Sequence, residues 1–312
     1  MSKPFNYGGQ AVIEGVMMRG RKHMAVAVRN PKGEIVLHTE PLNPRIYASF
    51  INKVPFLRGF TLLWDALVLG MRTLMFSADV AMGESEVEFS GPMAWGTVAF
   101  SLVIAIAIFF VSPLLLISLI KQLIDVPILG QHLIEGTVRL ALFLGYIWAI
   151  GHIADIKRVF GYHGAEHKAI NAYEQGVELV PEKVAKCSIV HPRCGTAFLL
   201  IVMVISIFVF ALVGDPPLWL KIVSRIVLIP VIAGIAYEFL KFSAAHQRNP
   251  IIKILIAPGL ALQGMTTREP DLSMLEVSIA ALKKLLAEEK LAAEVSPVET
   301  SEALTAPGSA SL

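Results

Sequence analysis

Charge is scarce in this chain. Asp, Glu, Lys and Arg supply only 17% of its 312 residues, against 55% hydrophobic residues and a mean hydropathy of +0.64. A soluble globular chain carries about 25% charged residues, so that class is excluded. Cysteine is nearly missing too. Cys187 and Cys194 are the two present, they form no C-x-x-C pair, and no disulfide framework is implied. The first nine residues contain no apolar h-region, and a signal peptide is not expected. The formal net charge of +2 is uninformative as a total. No nucleic-acid partner is expected.

What is present instead is a set of long apolar runs. Four of them, 95–120 (interrupted by Pro113), 133–151, 196–213 and 219–240, have the length of a membrane helix, which needs about 20 residues for a hydrocarbon core of about 30 Å. Glu135 and Arg139 lie near the start of the second run. Lys221 and Arg225 lie within snorkelling reach of the start of the fourth. The expected fold class is therefore mainly α: a polytopic helical membrane protein with about four transmembrane helices, a small β-containing N-terminal segment and amphipathic helices. The lipid bilayer is its first partner.

The basic residues set an orientation. Ten Lys and Arg precede Trp95, six lie in 152–195 and seven follow Leu240, whereas 121–132 holds only Lys121 and 214–218 holds none. Under the positive-inside rule the N-terminus, the middle loop and the C-terminus face the cytoplasm, in a multi-pass protein of the inner (plasma) membrane.

Around this membrane domain, taken as 95–262, the chain changes character. Residues 1–54 read as a soluble segment with a β-hairpin, two β-rich runs (24–29 and 34–39) flanking the turn Asn30-Pro31-Lys32-Gly33. The glycine-punctuated stretch 8–20 reads either as a ligand loop or as a turn-rich lead-in to a small sheet. In 55–82, Arg58, Asp65, Arg72 and Asp79 recur every seven residues, so they share one helical stripe. This reads as an interfacial or bundle-packed helix. The apolar stretch 251–262 is too short to cross and reads as interfacial or re-entrant. Residues 272–294 form an amphipathic helix with Leu275, Ile279, Leu282 and Leu286 on one face, and 296–312 read as a disordered tail.

The chemistry concentrates in the middle loop, 152–195. The run Tyr162-His163-Gly164-Ala165-Glu166-His167-Lys168 places two histidines four residues apart, on one face of a helix, with a glutamate between them. The H-x-x-E-H order is that of inverzincin metallopeptidases, in which the histidines bind zinc and the glutamate is the general base. His191 and Cys194 precede the third apolar run, and Glu238 ends the fourth. Topology brings all three to the membrane face of His163 and His167. Imidazole, thiolate and carboxylate are the usual zinc donors, three or four per ion. A divalent metal, zinc, is the expected cofactor.

Four phrases together, 9–20 (Gly9-Gln10-Ala11-Val12-Ile13-Glu14-Gly15 onward), 162–168, His191-Pro192-Arg193-Cys194-Gly195-Thr196 and Met265-Thr266-Thr267-Arg268-Glu269-Pro270, resemble those of the YqhQ-type bacterial membrane proteins. That family is catalogued as a domain of unknown function and described as predicted metal-dependent enzymes. The resemblance runs from about Asn6 to Leu286. It implies that His163, Glu166, His167, His191 and Cys194 matter, and it names no reaction.

Two functional readings follow. In the first the chain is a metal-dependent hydrolase of a peptide or lipid. His163 and His167 bind the metal, Glu238 or His191 and Cys194 complete the shell, Glu166 takes a proton from water, and Lys168 or Arg193 stabilises an oxyanion or holds an anionic headgroup. In the second the same residues form a closed structural metal site, or a polar cluster, in a membrane scaffold that binds a partner. An ion or lipid transporter is a weaker third reading, which a homo-oligomer would strengthen.

Overall fold

The computed structural model describes residues 7–47, 49–50, 54–83, 92–214, 216–246 and 248–305. It begins with four strands, β1 (Gly8–Val12), β2 (Gly15–Arg19), β3 (His23–Arg29) and β4 (Ile35–Pro41), joined as an antiparallel meander in the order β1-β2-β3-β4. The turn at Asn30–Gly33 closes the expected β3–β4 hairpin, with Gly33 at φ +86°. The stretch 8–20, whose reading stood open, is β1, a two-residue turn and β2; Val12 pairs with Gly15.

This sheet is buried on both faces. Val16, Met18, Ala25 and Ala27 point to one side, and Met17, Met24, Val26 and Val28 to the other. Alternate side chains of a strand face opposite ways, so a sandwiched strand needs apolar residues at every position, which is what Met24 to Val28 supplies.

A short helix, α1 (Pro44–Tyr47), follows. Then α2 (Gly59–Trp64), a π-helical turn (Asp65–Leu69) and α3 (Gly70–Met82) run on as one helix. Leu69, Phe76 and Val80 of this helix cover the second face of the sheet. At its other end, Gly59 crosses the fourth span so closely that a Cβ there would lie 2.6 Å from the Gly234 Cα. The charged stripe therefore meets protein. Arg58 grips Glu238, Asp65 takes Arg19 (2.9 Å) and Tyr47, and Arg72 lies 3.6 Å from Glu40. Burial, its largest influence, pushes the Asp65 carboxyl up, and Arg19 and Tyr47 pull it back.

Four helices are long and apolar enough to cross a membrane: Trp95–Leu123, Ile128–Ile150, Gly195–Val213 and Val223–Ala245. The first is α4 (Pro92–Ile106), a π turn (Ala107–Val111) and α5 (Ser112–Leu123) in continuous succession. Pro113 was expected to interrupt it. Proline has no N–H to give the carbonyl four residues back, and in hydrocarbon that carbonyl would go unsatisfied. Arg139 supplies the donor instead, its Nε lying 3.0 Å from the Phe109 carbonyl.

The second span is α6 (Ile128–Ile150), and the fourth belongs to α10 (Leu218–Ala245). Arg225 of α10 was expected to snorkel. It reaches sideways to Glu135, which also accepts from Arg139, at 2.6 and 2.5 Å. Glu135 is buried between helices and draws the guanidinium inward, since an unpaired carboxylate at that depth is costly.

The third span is α9 (Gly195–Val213), packed between α6, α10 and the short apolar helix α11 (Pro250–Thr266). Outside the spans, α7 (Ala154–Glu174), α8 (Pro181–Val184) and α12 (Leu272–Thr305) complete the chain. Tyr162, Ala165 and Ile170 of α7 and Leu275, Leu282 and Leu285 of α12 close the first face of the sheet. The N-terminal segment, the middle loop and the C-terminal helix are thus one packed body. Helix α12 extends to Thr305, over residues 296–305, which were expected to begin a disordered tail. Residues 306–312 lie outside the described residues.

Candidate metal centre

The H-x-x-E-H run lies on a helix, α7, as its spacing predicted. Its glycines are places of close approach. A Cβ on Gly161 would sit 2.7 Å from the Met274 sulfur, and one on Gly164 would collide with the Arg268 carbonyl. The chain after α11 crosses α7 at this point, and the Arg268 amide donates to the Phe160 carbonyl at 2.9 Å. The helix propensity lost at Gly164, about 1 kcal/mol relative to Ala, is what allows the crossing.

His163 and His167 project from the same face of α7, ring centroids 4.5 Å apart, toward Cys194 at the cap of α9. One donor atom from each of the three residues lies within 4.8 Å of the others. The Cys194 sulfur is 3.3 Å from His163 Nε2. Both imidazoles are held at the far nitrogen: His163 Nδ1 donates to the Thr266 carbonyl at 2.9 Å, and His167 Nδ1 to the Ile189 carbonyl at 2.7 Å. With Nδ1 protonated, Nε2 carries the lone pair, which is the arrangement of metal-binding histidines. Donors of a tetrahedral zinc site stand about 3.3–3.6 Å apart, from bond lengths of about 2.0–2.3 Å, so the widest side of this triangle would close by up to about 1 Å to take the ion.

His191 is beside this triangle, its ring 5.5 Å from that of His167. It is buried, and its Nε2 has no hydrogen-bond partner among the described residues; a Glu174 carboxylate oxygen lies 3.9 Å away. An orphaned buried nitrogen of this kind fits a fourth metal donor. Its backbone is pinned by Gln263, which accepts from the His191 amide and donates to its carbonyl at 2.7 Å.

Glu166 is buried, with one carboxylate oxygen 3.6 Å from His167 Nε2. Burial drives its carboxyl above the ordinary range; His163, His191 and the backbone amide of Gly9 pull the other way. That amide comes from β1, so the N-terminal sheet supplies part of the site.

Three residues given site roles are engaged elsewhere. Lys168 is buried, donates to the Ala185 carbonyl at 2.6 Å and pairs with Glu269, so its ammonium ties loop to helix and is not free for an oxyanion. Arg193 pairs with Glu174. Glu238, proposed as a ligand from the end of the fourth span, is gripped by both arms of Arg58 and accepts from the Phe56 amide at 3.1 Å. It joins the bundle to α2 and is not part of the donor triangle; a guanidinium 180 residues upstream has claimed it. Arg158, near the start of α7, binds Glu14 with its Nε at 2.6 Å.

The sequence reading missed Glu174, Gln263 and the amide of Gly9. Glu174 could have been found, since it follows His167 by seven residues and so shares its stripe. Gln263 and the Thr266 and Ile189 carbonyls leave no sequence signal.

The chain is similar to known proteins over most of its length. The family described as "Protein of unknown function (DUF1385)" matches residues 54–288, which contain every donor but not the sheet. "Uncharacterized protein YqhQ" of Bacillus subtilis (strain 168) is 36% identical over 301 residues, 92% of this chain and 94% of that protein. No solved structure matches.

Proposed function

We propose, for a chain that belongs to the DUF1385 family of proteins of unknown function, a metal-dependent hydrolase of the plasma membrane whose site faces the cytoplasm. The observation that carries this reading is the convergence of His163, His167 and Cys194 beside a buried glutamate. Two imidazoles and a thiolate favour zinc, and zinc would supply Lewis acidity for hydrolysis. Glu166 is the general base: its carboxylate borders the donors, and burial raises its affinity for a proton above that of an ordinary carboxylate. The Gly9 amide holds that carboxylate in place. The substrate is a peptide or lipid reached from the membrane surface. Cytoplasmic exposure of the site and of both termini rests on the excess of Lys and Arg in the segments packed around it.

The test is metal analysis of protein purified gently and without chelators. Near-stoichiometric zinc, lost in the double variant His163→Ala, His167→Ala, is expected. A metal-free wild type would overturn the reading. Glu166→Gln is expected to keep its metal and lose turnover.

A second reading, a closed structural site, has one specific observation in its favour: the orphaned Nε2 of His191 would complete a four-ligand shell. There His191→Ala lowers metal retention while Glu166→Gln changes nothing.

A further inference from the structure

A cleft of about 300 Å³ opens between α9, α10 and α11. The residues that line it are all apolar, among them Pro192, Ala197, Leu200, Val204, Ile256 and Gly259. On α9 the lining residues fall at positions 197, 200, 201, 204 and 205, one stripe of a helix. The stripe starts beside the donors: Pro192 directly follows His191, and Ala197 is one turn beyond Cys194. From Ala197 it runs eight residues to Ile205, about 12 Å at 1.5 Å per residue, against a half-thickness of about 15 Å for a hydrocarbon core. On a helix long and apolar enough to cross a membrane, the groove has most of a leaflet's depth, with the metal donors at one end.

The helix that walls the groove also orients the site. Gly259 of α11 lies against Ala197, with only 3.1 Å to a Cβ built upon it, while the C-terminal turn of α11 offers the Thr266 carbonyl to His163. Small residues bring α11 and α9 together near the donors. Leu255 and Ile256, a turn earlier, line the space that remains.

We propose that this groove holds a single lipid acyl chain, and that the substrate of the site is accordingly an acyl-chain amphiphile and not a water-soluble peptide. Its headgroup linkage would lie at Cys194 and His163. This assignment of substrate class rests on the metal-dependent reading, but the chain-binding groove itself can be tested apart from it.

Full-length protein reconstituted in phosphatidylglycerol vesicles doped with a phosphatidylglycerol that bears a diazirine on one acyl chain is irradiated, and the adducts are mapped by mass spectrometry. Adducts are expected at Leu200, Val204 and Ile256, several-fold above those at the outward-facing Phe100 and Leu212. Val204→Trp, which fills the groove, is expected to remove the enrichment while leaving metal content unchanged. An even spread over all exposed apolar residues means an annular lipid shell only and overturns the proposal. So does enrichment that survives in a folded Val204→Trp protein. The wild-type map decides the matter even if that variant does not fold. Groove labelling in a protein that binds no metal would sink the hydrolase and keep the groove; metal without groove labelling would do the reverse.

Discussion

Asp271 shows how much a single side chain contributes where the chain turns from α11 into α12. Its carboxylate accepts from the Met274 amide at 2.8 Å and from the Ser273 hydroxyl at 2.6 Å, capping the helix that closes the sheet. Burial alone would raise its carboxyl, but these bonds outweigh it and hold the group below its ordinary value of 3.8. A depressed carboxyl stabilises the fold above the unfolded value and loses that contribution as pH falls through the folded one. Asp271→Ala is therefore expected to cost about 1 kcal/mol at neutral pH, as for other lost caps. The gap to wild type should close as the pH is taken below 3.8, measured by thermal unfolding in detergent. A gap independent of pH would show that the carboxylate is not the capping group. At this scale the sequence was readable where helical period decides, as for His163 and His167. It was silent on the backbone groups that fix them, Thr266, Ile189 and Gly9, because a carbonyl or amide has no letter of its own.

Between elements the ambiguous piece was the helix of 59–82. Its charges in sevens were visible, and so was the conclusion that they share a stripe. Their partners were not visible, since Glu238, Arg19 and Glu40 come from the fourth span and the sheet. The same blindness placed Glu238 in the metal shell. Glu238→Gln is expected to lower unfolding stability by about 1.5–3 kcal/mol, the range for a hydrogen bond to a charged group, with metal content unchanged. Loss of metal in a folded Glu238→Gln protein would restore it as a ligand. Strand β3 was legible from the turn that follows it. Strands β1 and β2 were not, because glycines suited to close packing look the same in sequence as glycines in a ligand loop: Gly9 abuts Glu166, and Gly15 abuts the Ala27 carbonyl.

At the scale of the whole molecule, the sheet, α7 and α12 share one core, so the N-terminal segment, the middle loop and the C-terminal helix must lie on one side of any membrane that the four spans cross. Cysteine-accessibility labelling of intact cells should give one response at residues 32, 176 and 290 and the opposite at residues 125 and 216. Any split among the first three would rule out the packed body. The four spans were plain from hydropathy; this body was not, because α7, with its buried Glu166, His167 and Lys168, does not look like a core helix until its neighbours are known. The shared core also sets a clock. A ribosome at about 5–20 residues per second needs roughly ten seconds to most of a minute to go from the end of β4 to the Met274–Leu285 stretch. Through that interval Val16, Met18, Ala25 and Ala27 have no α12 to cover them, while the spans are threaded into the bilayer. Thr266 emerges late as well. A nascent chain interrupted just before it would hold both histidines and Cys194, with nothing yet to turn the first imidazole toward its partners.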